Sequence, residues 1–159
     1  MDNIFNSQTY GILDLKEVHE KIIGFISKSP GSKHQLVIGS DSQSRNGEGT
    51  DFVTAIVVHR TGEGGIYFWR RVVEERKMVL RTRIYKEASL SLEYAQRLLD
   101  TFRGNGITKY DLEIHVDIGK HGETREMLAE VVGMIRGSGF IVKTKPEAYG
   151  ASKVADRHT

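Results

Sequence analysis

Three β-like segments in succession, followed by segments that alternate helix with strand, leave this chain few folds to enter. Gln35 to Ser40 is a short apolar run between turn residues and reads as a buried strand. Phe52 to His59 and Ile66 to Val73 are rich in β-branched and aromatic residues, and Thr61 to Gly65 supplies the glycines of a hairpin turn between them. The intervening Ser42 to Thr50 is polar and reads as a loop. The period then changes. Ile84, Ala88, Leu92, Ala95, Leu99 and Phe102 fall on one helical stripe between Thr82 and Arg103, closed by Gly104 and Gly106. Leu112, Ile114 and Val116 mark a fourth strand that ends at Asp117. Residues 123–136 read as a helix facing Met127, Leu128, Val131 and Ile135 inward, and Phe140 to Val142 as a fifth strand. Ala148 to Arg157 has room for a short last helix. Ahead of all this, residues 1–12 read as a loose arm. Asp14 then caps a helix with Glu17 reaching back, and Ser29-Pro30-Gly31 ends it. The succession demands an α/β fold, a mixed sheet flanked by helices. With 159 residues it makes one domain, residues 1–34 forming the N-terminal arm and helix.

Bulk composition excludes several classes. There is no cysteine, so disulfides and thiolate zinc sites are out. No apolar stretch approaches the roughly 18 residues of a membrane span, and Met1-Asp2-Asn3 brings acid where a signal peptide carries base. A cytoplasmic location without membrane contact is expected. The net charge of +2 does not announce nucleic acid, so any such case rests on local clusters.

The acids are better placed than the charge balance suggests. Asp41 follows the first strand and Asp117 the fourth, so parallel neighbours would bring both to one end of the sheet, where open α/β sheets place their sites. Glu87 sits on the flank of the long helix's apolar stripe, whereas Glu93 falls opposite it and should meet water. Asp156 lies on a terminal segment able to pack back over the same sheet end. Clustered carboxylates repel one another without a cation. Their oxygens suit Mg²⁺ or Mn²⁺, and two ions about 4 Å apart can activate water and stabilise the leaving oxygen of a phosphodiester. Most of the 21 acids simply solvate the surface; Asp41 and Asp117 stand apart because each follows an apolar strand.

The segments Ile38-Gly-Ser-Asp-Ser-Gln43, His115-Val-Asp-Ile-Gly119, Lys145-Pro-Glu-Ala148 and Ala151-Ser-Lys-Val-Ala-Asp-Arg157 resemble the YkuK-like bacterial family, which is classed as ribonuclease H-like. The resemblance runs from about Leu13 to Arg157. It implies a five-stranded sheet of order 3-2-1-4-5 with strand 2 antiparallel, here preceded by an extra N-terminal helix. It also implies a catalytic and metal-binding set at Asp41, Glu87, Asp117 and Asp156. Within the wider superfamily, exonucleases of the DEDD type carry Asp-x-Glu on the first strand. Gln43 stands in place of that second carboxylate, which favours an endonuclease-like or resolvase-like site. Asp117-Ile-Gly119 resembles the phosphate motif of actin-like sugar kinases, but those need two such domains.

The expectation is therefore a Mg²⁺- or Mn²⁺-dependent nuclease with two ions. Asp41 would bridge them, Glu87 and Asp117 would hold one, and Asp156 the other. The rival is a binding module for nucleic acid or protein that kept the fold without turnover. Between positions 70 and 86 seven bases face two acids, with Phe68, Trp69 and Tyr85 interleaved, which suits a phosphate backbone or else a solvated strand face. Arg81, Arg83, Lys86, Lys120, His121 and Arg157 are the candidate nucleic-acid contacts, against the plainer reading of polar loops and helix starts. His158 is a candidate proton shuttle near Asp156. His115 shares side-chain parity with Asp117, which makes a metal pair conceivable, but packing beneath a helix is the simpler fate.

Overall fold

The computed structural model describes residues 4–45, 48–103, 111–118, 125–145, Val154 and His158. In chain order the elements are β1 (Ile4–Ser7), β2 (Gly11–Asp14), α1 (Leu15–Ser27), β3 (His34–Arg45), β4 (Gly49–Arg60), β5 (Gly64–Glu74), α2 (Leu80–Thr101), β6 (Leu112–His115), α3 (Leu128–Gly137) and β7 (Ile141–Lys143). A 3-10 turn over Arg125–Met127 leads into α3. All described strands join one sheet of order β2-β1-β5-β4-β3-β6-β7. Five of them, β5-β4-β3-β6-β7, reproduce the expected order, with β4 antiparallel to both neighbours and β6 parallel to β3 and β7.

The two extra strands correct the reading of residues 1–12 as a loose arm. Ser7 Oγ accepts from the backbone N–H groups of Thr9 and Tyr10 at 3.2 and 3.1 Å, and Gly11 takes a φ of +78° that a side chain would resist. The hairpin so formed places Phe5 opposite Leu13, both buried, with Phe5 edge-on to Tyr94 of α2 at 5.6 Å. β1 then pairs with β5 at Asn6 and Trp69.

A second correction concerns Ser42 to Thr50. The β3–β4 ladder runs from His34↔Arg60 to Arg45↔Gly49, so most of this segment is strand. Its polar side chains hid it, but the ladder is made of backbone groups and does not need apolar side chains. At the other end of β4, Gly65 of β5 passes so close to Val58 that an added Cβ would lie 2.3 Å from the carbonyl oxygen.

Asp14 caps α1 as expected. Glu17 N–H donates to Asp14 Oδ1 at 2.8 Å and Asp14 N–H donates to Glu17 Oε1 at 3.1 Å. The three described helices share one face of the sheet. Leu36 and Ile38 of β3, Phe52 and Ile56 of β4, Phe68 of β5, and Leu112 and Ile114 of β6 meet Val18 and Ile22 of α1, Ala95 and Leu98 of α2, and Val131 and Ile135 of α3 in one core. The alternate residues Val53 and Ala55 point to the far face, where they form a small second cluster with Trp69 and Val154. No described helix is long and apolar enough to cross a membrane.

Candidate functional site

β3 outruns β6. Their last parallel pair is Gly39↔His115, whereas β3 continues beside β4 to Arg45. Asp41 is thus inside β3, paired across to Val53, and not at its end as expected; it lies two residues past the last β6 partner. Asp117 leaves β6 two residues after the same pair. One end of the sheet therefore receives both, through the parallel register.

Alternation separates the environments along β3. Ser40 Oγ lies 2.9 Å from Thr54 Oγ1 and 2.7 Å from Ser91 Oγ of α2, and Ser42 Oγ donates to Glu87 Oε2. Ser40 and Ser42 thus face the helices, and Asp41 between them turns to the far face, half-buried. Arg83, one turn before Glu87, donates from Nε to Ser42 Oγ at 3.0 Å, from Nη2 to the Ser42 carbonyl oxygen at 2.8 Å and from Nη1 to Ser44 Oγ at 3.4 Å. Serine at 42 and arginine at 83 therefore fix where Glu87 sits against β3.

Glu87 is only 8% exposed. Its carboxyl is raised to about 8, first by burial; the Ser42 hydrogen bond and Arg83 work against the rise, and the neighbouring Asp41 and Asp117 add to it. Beside them is a cavity of about 10 Å³ lined by Ser40, Glu87, Ser91, His115 and Asp117 among others, room for about one water.

The convergence has limits. Asp117 is ion-paired to Lys145 at 2.8 Å. Among the described residues, no three His, Asp or Glu side chains converge closely enough to hold a metal ion together. Asp156 lies outside the described residues, as do Lys120, His121 and Arg157. The donor type remains suited to a hard cation, since carboxylate oxygens are what Mg²⁺ and Mn²⁺ prefer.

The basic stretch is divided among tasks. Arg83 serves Ser42. Arg70 lies over the Tyr94 ring at 4.8 Å, and Lys86 pairs with Glu74 at 3.6 Å. Arg81 is exposed, 3.4 Å from Glu130 and over the Tyr85 ring at 5.5 Å. Arg76 and Lys77 are exposed in the β5–α2 connection. Of the interleaved aromatics Phe68 is in the core. His115 is buried and lines the small cavity with Glu87 and Ser91 of α2; its Nε2 lies 3.2 Å from Glu113 Oε1, and burial holds its pKa below the usual value despite that carboxylate. Burial also acts to raise the Glu113 carboxyl, but hydrogen bonds from Gln35 and His115 outweigh it and the net shift is downward. His158 is stacked on Trp69 of β5, two strands from β3, a position that gives no support to its reading as a proton shuttle. Ser42, Lys145 and the inward role of Arg83 were not foreseen. Strand parity placed Ser42 opposite Asp41, but its partner depended on how α2 docks.

A family model described as ribonuclease H-like matches residues 17–159. A relative from Bacillus subtilis (strain 168), "Uncharacterized protein YkuK", is 33% identical over 168 aligned positions, covering 98% of this chain and 96% of the relative. The sheet order, the parallel β3–β6 pair with acids beyond it and these two matches together establish that the chain belongs to the YkuK-like family of ribonuclease H-like proteins.

Proposed function

We propose that the chain is a Mg²⁺- or Mn²⁺-dependent nuclease, hydrolysing phosphodiesters of DNA, RNA or a hybrid at the end of the sheet where Asp41, Glu87 and Asp117 gather. One observation carries the reading: a carboxyl as deeply buried as Glu87 lies within the fields of two further acids brought there by β3 and β6. A buried cluster of like charge is costly unless a proton or a cation offsets it. Asp41, Glu87 and Asp117, with Asp156 from the C-terminal segment, are the residues that would hold the cation. When bound, it would supply Lewis acidity toward a phosphoryl oxygen and lower the pKa of water. The protein's own share is to orient the acids. Ser42 and Arg83 fix Glu87, and Lys145 holds one oxygen of the Asp117 carboxylate, Oδ1, leaving the other for a cation. The exposed bases Arg76, Lys77 and Arg81 lie at or near the start of α2, which also carries Glu87, and they suit a phosphate backbone approaching the site.

The test combines calorimetry with Mn²⁺ and a cleavage screen over duplex, hybrid, single-stranded and branched substrates. Asp41→Asn should lower cleavage at least a hundredfold and leave the melting temperature within a few degrees of the parent. Equal cleavage by parent and variant would sink the proposal.

The Lys145–Asp117 ion pair and the Ser42–Glu87 hydrogen bond favour a second reading, a nucleic-acid-binding module whose acids are satisfied without metal. Nucleic-acid binding with no heat of Mn²⁺ binding would select it.

A further inference from the structure

The far face of the sheet carries an aromatic and cationic strip on β5. Tyr67, Trp69 and Arg71 are alternate residues of that strand, so their side chains leave the same face. Val53, Ala55 and Val154 pack with Trp69 and hold the indole in place. The His158 ring lies almost flat on that indole, with centroids 4.2 Å apart and planes 12° apart. Its Nε2 is 3.3 Å from the Tyr67 hydroxyl, and Arg71 donates to its backbone carbonyl oxygen. The strip thus takes a flat heteroaromatic ring on its face, a ring nitrogen at a hydroxyl and an oxygen acceptor at a guanidinium. A nucleobase with its backbone phosphate offers the same set of groups.

Charge complementarity selects that occupant. Arg71 is exposed and belongs to the stretch between positions 70 and 86 in which seven bases face two acids, with Arg76 and Lys77 also exposed. Such a surface suits a polyanion. Paired bases cover one another's faces within a duplex, so an unpaired base is the one free to lie on Trp69. The register also relates the strip to the acids. Arg71 pairs with Val53, and Val53 with Asp41, so two strand spacings, about 10 Å, separate Arg71 from Asp41. We propose that Tyr67, Trp69 and Arg71 form a stacking platform for an unpaired base of single-stranded nucleic acid, with the His158 ring as an internal occupant that the base displaces. The inference rests on the nucleic-acid reading above and narrows it to strands with an unpaired base; it needs neither cation nor cleavage.

Trp69 packs into the far-face cluster, and replacing it risks the fold, so the variants are made at His158 and Arg71. Trp69 is the sole tryptophan, and its emission reads the stack directly. The probes are one mixed-sequence single strand, as DNA and as RNA, and the matching duplexes, without divalent cation. Anisotropy of a labelled copy reads total binding, and an unlabelled copy is titrated against Trp69 emission. A single strand should quench that emission and a duplex should not, and the DNA and RNA arms separate the two sources. His158→Ala should bind the single strand severalfold more tightly, because no ring has to leave the platform first. Arg71→Ala should weaken binding and lower the salt slope by about one. Single-strand binding without quenching would overturn the platform and leave the nucleic-acid reading standing. Equal quenching by duplex would overturn the preference for an unpaired base. Unchanged or weaker binding by His158→Ala would overturn the internal occupant. A parent that binds none of the probes removes the nucleic-acid reading and the platform with it.

Discussion

At the scale of the residue, Glu87 concentrates the tension in this molecule. Its carboxyl is raised from 4.5 to about 8, first by burial. Below pH 4.5 the folded and unfolded chains both hold the proton, and the group is neutral to stability. Between 4.5 and 8 the unfolded chain has lost the proton and the folded chain keeps it, so stability falls as pH rises through that window. The accumulated cost by pH 8 is of the order of a few kcal/mol. Glu87→Gln, of the same shape and never charged, should therefore melt higher than the parent at pH 8, and the gap should close toward pH 4.5. Thermal melts across that range measure it; a constant gap would mean that the carboxyl ionises normally. Saturating Mg²⁺ at pH 8 should reverse the order, because only the carboxylate can bind the ion. Asp41 and Asp117 were legible in the sequence because each ends or follows an apolar run whose period fixes its place. Glu87 was legible from the flank of a helical stripe. Ser42, Arg83 and Lys145 were not, because their roles come from how elements dock and no local period records that.

At the scale of the element, two kinds of signal behaved differently. The cap of α1 was readable from Asp14 and Glu17 alone, since both halves of the box lie within one turn. Asp14→Ala should cost about 1 kcal/mol, measurable as a lowered urea midpoint with unchanged slope. The outer ends of β3 and β4 were not readable. Ser42, Gln43 and Ser44 carry no apolar alternation, and their strand state comes from backbone pairing with Phe52, Asp51 and Thr50. β1 and β2 failed for a related reason. Strands of four residues each offer a single inward side chain, Phe5 and Leu13, and one residue defines no period.

At the scale of the whole molecule, the five-stranded order was legible because three consecutive strands followed by strand–helix alternation admit few topologies. The N-terminal hairpin changes the stability expected of the first residues. Phe5→Ala in a loose arm would cost nothing. Here Phe5 is fully buried against Tyr94, and the substitution should cost about 3–5 kcal/mol, read by chemical denaturation. The placing of strands in the sheet has one more result. The three long strands, β3, β4 and β5, are all interior, and the described edges are β2 and β7, with four and three residues. An exposed edge is a template on which another copy can build, and its danger grows with its length. Of the three, β4 has its backbone ladder taken up along its length on both sides, by β3 and β5, so the strand at the centre of the sheet offers no template.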